Sequence, residues 1–215
     1  MDPRGRVSPD AIVLAGGRAS RLGGIDKPRI EIGGRTLLDG VLDALASAGC
    51  DRIVVAGPEA PVDDSGTSER RRSRPTVGPD VRWVREDPPF GGPVSGIAAA
   101  LPLVRSREVI VLAGDLTAPA EALALLIDPD APHGADGRRL TDPNGRSQPL
   151  TAVYTAAALR TNLAALPDGG RDASMRRLLD GLALADIDAP AVAVHDVDTW
   201  EDVEDARRTA AGRKE

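Results

Sequence analysis

Short apolar runs recur along this chain with room for one helix between neighbours, and that alternation leaves few folds open. Ala11–Leu14, Arg52–Ala56, Val81–Val84 and Val109–Leu112 each have the length of a strand. Helical periods fill the intervals. Leu37, Leu38, Val41, Leu42 and Leu45 share one face behind a capping Thr36 and before a stop at Gly49. Pro93 opens a second helix with Val94, Ile97 and Leu101 on one side. Strand–helix units of this kind build a parallel sheet covered by helices. The expected fold is α/β, a three-layer sandwich with a mostly parallel central sheet. Val109–Leu112 is its most apolar strand and belongs at the sheet centre.

The second half reads less regularly. A helix follows Pro119, and 131–144 is rich in turn residues. Pro149–Thr155 alternates as a strand does, helices are expected over 156–166 and 173–182, and Ala191–Val194 reads as a last strand before a helix from Thr199. At 215 residues the chain makes one domain, 1–215. Within it 1–8 reads as a flexible start, 59–80 as a mobile polar loop and 206–215 as a polar end.

The first strand breaks into Gly16-Gly17, and Arg21, a second glycine pair and Lys27-Pro28 follow. Glycines let backbone N–H groups close on an anion, and fixed cations neutralise it. A triphosphate suits such a loop. No Gly-Lys-Ser/Thr is present for a Walker loop, and the dinucleotide spacing Gly-x-Gly-x-x-Gly is missing.

Asp115 stands just past the carboxyl end of Val109–Leu112, where open α/β sheets bind ligands. A carboxylate there, beside phosphates, suits Mg2+, which prefers one or two carboxylates plus substrate oxygens; as a lone residue it also reads as a helix cap. Asp196, Asp198 and Thr199 follow the last predicted strand. Asp198 or Thr199 serves as an N-cap, while Asp196 is either part of that cap or a second metal or substrate ligand. Asp87, in the Glu86–Gly96 turn, can meet a ribose or base edge. Gln148 and Arg171 are candidates for a second substrate and also read as plain structure.

Composition excludes several classes. A formal net charge of −6 argues against nonspecific nucleic-acid binding. Aromatics are 2% of the chain, so base recognition is not expected to rest on stacking. No apolar run is long enough for a membrane span, the first eight residues carry no export signal, and the single Cys50 allows no internal disulfide, so the chain reads as cytoplasmic. His133 and His195 are isolated, which gives no zinc pattern.

Taken in order, these segments resemble the molybdenum cofactor guanylyltransferases of the MobA-like nucleotidyltransferase family over nearly the whole chain. The matching blocks are Leu14-Ala15-Gly16-Gly17 with Arg21, Gly23 and Lys27; Glu86-Asp87 before Gly92-Pro93 and Gly96; Gly114-Asp115; Gln148-Pro149-Leu150 with Val153-Tyr154; Met175–Leu179; and the acidic run from Asp196. The resemblance implies a Rossmann-like fold of the nucleotide-diphospho-sugar transferase type. It implies transfer of GMP from GTP to the terminal phosphate of molybdopterin, with release of pyrophosphate. Leu14, Ala15, Gly16 and Gly17 would meet the guanine and adjoining backbone, Lys27 the phosphates, Asp87 the nucleotide and Asp115 the Mg2+. Arg21, Lys27 and Asp115 would carry catalysis, and Gln148, Arg171 and Asp196 the acceptor. Transient contact with cofactor-assembly proteins or molybdoenzymes follows from the same likeness. The chain departs from it at Asp196, where many members have Asn, and at Trp200, where Pro is usual. The alternatives are CTP-dependent transfer to molybdopterin, guanylyl transfer to another phosphorylated small molecule, a sugar-phosphate nucleotidyltransferase, and a nucleotide-binding regulatory subunit without turnover.

Overall fold

The computed structural model describes residues 8–16, 26–58, 78–197 and 199–212. Among these the strands are β1 (Asp10–Leu14), β2 (Glu31–Ile32), β3 (Arg35–Thr36), β4 (Arg52–Ala56), β5 (Asp80–Val84), β6 (Glu108–Ala113), β7 (Gly137–Thr141), β8 (Ser147–Thr155) and β9 (Leu184–Asp188). The helices are α1 (Leu37–Ser47), α2 (Pro93–Ala100), α3 (Pro119–Leu126), α4 (Ala156–Ala164), α5 (Met175–Leu178) and α6 (Trp200–Gly212). Arg21, Gly17 and Asp198, and all of the 59–80 segment but its last three residues, lie outside the described residues. Asp80, the end of that segment, is already strand.

The strands order as β5-β4-β1-β6-β8, with the first four parallel and β8 antiparallel to β6. Period-2 alternation splits their side chains cleanly between two cores. Val13, Ile53, Val55, Ile110 and Leu112 face α1 and α3, while Ile12, Val54, Val109, Val111 and Tyr154 face α2, α4 and α5. Three layers result, as the sequence predicts. Residues 109–112 of β6 have no exposed surface, consistent with strands on both sides.

After β1 the chain runs outward through β4 to β5, then returns to the other side of β1 as β6. The loops leaving β1 and β6 therefore diverge, and the crevice between them is where such sheets take ligands.

β7 and β8 form a hairpin that carries the β7–β9 pair past β8. Asp142 N–H donates to Arg146 O at 3.0 Å, and Thr155 N–H donates to Asp136 O at 2.9 Å. Between these bonds β8 runs from 146 to 155 while β7 runs only from 136 to 142, so β8 must bulge. The buried Tyr154 hydroxyl marks the curl, donating to Pro149 O only five residues back at 2.8 Å. Bulges re-aim side chains beside functional edges, and Gln148 lies within the stretch of β8 that these bonds bracket.

Three expectations are corrected. Ala191–Val194 is a 3-10 turn, with Ala193 N–H donating back to Pro190 O at 2.9 Å; the last strand is Leu184–Asp188. The turn-rich 131–144 stretch contains β7, which enters through Gly137, where a Cβ would lie 2.2 Å from Val153 O. The 173–182 helix shrinks to Met175–Leu178, capped by Ser174.

The amino end of the sheet is locked by Asp10, a residue the sequence reading passes over. Its buried carboxylate accepts N–H bonds from Arg105 at 2.6 Å and Ser106 at 3.1 Å, and its own N–H donates to Ser106 Oγ at 2.8 Å. Asp10→Ala strands two amides, so a loss of about 3 kcal/mol is expected in urea unfolding, with Asn recovering part of it because its oxygen still accepts. Wild-type stability in the Ala variant would show that water replaces the carboxylate. Cys50 is buried nearby, and burial pushes its thiol up to about 12, which suits packing and not chemistry.

Candidate active site

The carboxyl edge of the sheet is closed by three backbone bonds that extend the strand pairing. Gly57 N–H donates to Val84 O, Ala15 N–H to Ala56 O and Gly114 N–H to Leu14 O, each at 2.9 Å. They draw the loops after β4, β1 and β6 together around Ala15. A Cβ on Gly57 would sit 2.7 Å from Ala15 C, and one on Gly114 would sit 3.1 Å from Leu14 O. At Gly57 the glycine is demanded by the protein's own packing, while at Gly114 a side chain would be tight. Gly16 is different: it is exposed, and among the described residues a Cβ there would meet only ordinary contacts at 3.7 Å. Gly57 is a site-shaping residue that sequence reading misses, because Gly-Pro after a strand signals only a turn.

Asp115 follows Gly114 directly and is half-buried. The next residue, Leu116, forms an antiparallel bridge with Asp196, and Thr117 donates to His195 O through both N–H and Oγ1 at 3.1 Å. The segments bearing Asp115 and Asp196 are thus stitched side by side. Asp196 is exposed. Capping falls to Thr199 and Asp202, reciprocally: Thr199 N–H to Asp202 Oδ2 at 2.7 Å, Asp202 N–H to Thr199 Oγ1 at 3.2 Å. Two carboxylates completed by phosphate oxygens form the donor set that magnesium favours. Among the described residues no group of three or more His, Cys, Asp or Glu forms a metal cluster.

Lys27 opens the 3-10 turn Lys27–Arg29. Two anchors fix that turn. Arg29 pairs with Asp26 at 2.6 Å and donates to Pro58 O at 3.3 Å, just past β4. Ile30 is buried with Leu37, Val197 and Val203, so the turn also leans on the residue after Asp196. Lys27 is therefore carried between the edge of β4 and the Asp196 segment.

Asp87 is exposed on the loop beyond β5. Arg171 clamps that loop, donating from Nη1 to Pro88 O at 2.9 Å, and Asp172 N–H donates to Gly91 O at 2.8 Å. Gln148 is half-buried at the start of β8, with weak bonds of 3.4 Å from Nε2 to Asp142 Oδ2 and Arg146 O. β8 runs antiparallel to β6 and pairs with it from Thr151, so Gln148 lies on the part of β8 that passes the carboxyl end of β6. The structure thus groups Leu14, Ala15, Gly16, Asp115 and Asp196, brings the Lys27 turn to their flank, and joins Asp87 to Arg171 through one clamped loop.

Residues 11–187 match the model of the MobA-like NTP transferase domain family. A probable molybdenum cofactor guanylyltransferase of Methanosarcina acetivorans is 30% identical over 164 residues, covering 74% of this chain and 69% of that protein. A molybdenum cofactor guanylyltransferase of Pseudomonas syringae is 30% identical over 171 residues, covering 80% and 78%. A nucleotidyl transferase of Methanothermobacter shares the fold at a TM-score of 0.70 and 22% identity, over 97% of this chain and all of that one. No helix among the described residues is long and apolar enough to cross a membrane.

Proposed function

From the premise that this chain belongs to the MobA-like NTP transferase family, we propose that it is a guanylyltransferase moving GMP from GTP to the terminal phosphate of molybdopterin. The likeness to molybdenum cofactor guanylyltransferases over 80% of the chain carries the choice of donor and acceptor. The meeting of Gly16, Asp115 and the Lys27 turn at one sheet edge supports the reaction class.

An acceptor phosphate oxygen attacks the α-phosphorus of GTP. The new P–O bond forms as the bond to the β-phosphate oxygen breaks, and pyrophosphate leaves with that electron pair. The acceptor is already an anion at neutral pH, so no general base is needed. The protein's task is positioning and charge neutralisation. Ala15 and Gly16 let backbone approach the nucleotide, and Lys27 and Arg21 balance the charge that grows on the leaving phosphates. Asp115, with Asp196 beside it, would hold Mg2+ together with triphosphate oxygens; when bound, the ion neutralises phosphate charge. Asp87 holds the nucleotide, and Gln148 and Arg171 face the acceptor. The reaction belongs in the cytoplasm, with product handed on to molybdoenzymes or assembly proteins.

A nucleotide panel tests this. With molybdopterin present, pyrophosphate release is expected with GTP and at most at about a hundredth of that rate with CTP, ATP or UTP, as unpaired base-edge groups penalise the wrong base. Mass analysis of the product identifies the attached base. Release with CTP in place of GTP would make the chain a cytidylyltransferase. Tight GTP binding with no release would make it a regulatory subunit.

A further inference from the structure

The chain has one phenylalanine, and it is poorly placed for a structural role. Phe90 is 47% exposed, so its ring gains little from burial. Its backbone sits at φ +66°, in the left-handed region that a bulky side chain disfavours. Glycine would suit that conformation, and the chain uses glycine at the next two positions, 91 and 92. Strain and exposure together leave the ring with little reward from burial in the free protein, and such outliers point to function.

The loop is nonetheless firmly held. Phe90 N–H donates to Glu86 Oε1 at 3.0 Å, Arg171 grips Pro88 O, and Gly91 O accepts from both Asp172 N–H and Ser95 Oγ, the latter at 3.0 Å. Arg85 stands over the ring, its guanidinium carbon 5.9 Å from the centroid. The whole unit leaves the carboxyl end of β5 and feeds α2, whose Gly96 packs against Leu14 at the end of β1. An aromatic face is thus held in water at the sheet edge where the site lies, on the same turn as Asp87.

We propose that Phe90, backed by Arg85, is a platform on which the planar fused heterocycle of a substrate stacks at the mouth of the site. This rests on the guanylyl-transfer reading above, which supplies two such rings: the guanine of the donor and the pterin of the acceptor. Stacking on an aromatic face needs no base-edge pattern and accepts either. Arg85 makes the platform cationic, which suits electron-rich rings and neighbouring phosphate.

Calorimetric titration of GTP, inorganic tripolyphosphate and a free pterin into wild type, Phe90→Ala, Phe90→Gly and Phe90→Trp tests the platform. Phe90→Ala and Phe90→Gly are expected to bind one ring-bearing ligand about tenfold more weakly, and Phe90→Trp to restore it. Tripolyphosphate binding stays unchanged. The arm that falls, GTP or pterin, identifies the ring. Phe90→Gly is also expected to melt at or above the wild-type temperature, since it relieves strain without losing a packed ring. Unchanged affinity for both ring-bearing ligands overturns the proposal. So does a parallel fall with tripolyphosphate, or a lower melting temperature for Phe90→Gly, which would make the ring structural. Absence of pyrophosphate release by wild type would remove the transfer reading, while a ring-specific loss in these titrations would still support the platform.

Discussion

Asp115→Asn is expected to lower transfer more than about 100-fold while the melting temperature stays within about 2 °C of wild type. Asn has nearly the same shape, and the bonds that shape this edge run through the backbone: Gly114 N–H to Leu14 O on one side, the Leu116–Asp196 bridge on the other. Those backbone bonds do not depend on the charge. A metal-bound triphosphate does. The partner residue sharpens the test. Capping is handled by Thr199 and Asp202, so Asp196→Ala is expected to change stability by less than about 0.5 kcal/mol, well short of the ~1 kcal/mol that a lost cap would cost. Turnover is expected to fall at least about tenfold, with Asn retaining part because its oxygen still coordinates. Pyrophosphate release and thermal melts of the three variants decide the matter. Most of the magnesium-dependent activity surviving in Asp115→Asn would remove that residue from the metal, and unchanged turnover in Asp196→Ala would remove Asp196 from the site.

The division of labour among the acids after Val194 is a case the sequence leaves open. Three aspartates and a threonine all suit a cap by type, and the choice among them turns on a bridge to Leu116, far away in the chain. The same limit hid β7 and β9. Each is short and half polar, and they pair with one another across an interval that includes β8 and two helices. The four parallel strands were legible because their apolar runs are continuous, as burial on both faces requires. Gly16 was legible because it sits in a glycine run beside cations; Gly57 was hidden because its need comes from a neighbouring strand. Composition is silent on placement. A low aromatic content argues against stacking on average, yet it says nothing of where the one phenylalanine is held.

Gly57→Ala is expected to cost about 2–3 kcal/mol and to lose activity together with stability. No positive φ is involved, so the argument is purely steric. The added carbon would stand 2.7 Å from Ala15 C, 2.8 Å from Ala15 O and 3.1 Å from Gly16 N. All three are backbone atoms, and no rotamer change can relieve them. The β1–β4 edge must open instead, which strains the Ala15 N–H bond to Ala56 O and the Gly57 N–H bond to Val84 O. Those bonds hold the strand end that carries Ala15 and Gly16, so the loop proposed to take the nucleotide is expected to move with them. Gly16→Ala is the matched comparison. Among the described residues its Cβ meets nothing closer than 3.7 Å, and a stability change below about 0.5 kcal/mol is expected. Any loss of GTP binding in that variant then reports the ligand's own need for a bare backbone. Urea unfolding and GTP titration of both variants separate the roles: Gly57 acts by allowing two strands to meet, and Gly16 by leaving room for what binds between them. A Gly57→Ala protein with wild-type stability would show that this edge is looser than the contacts require, and equal stability losses in both variants would assign Gly16 to packing as well.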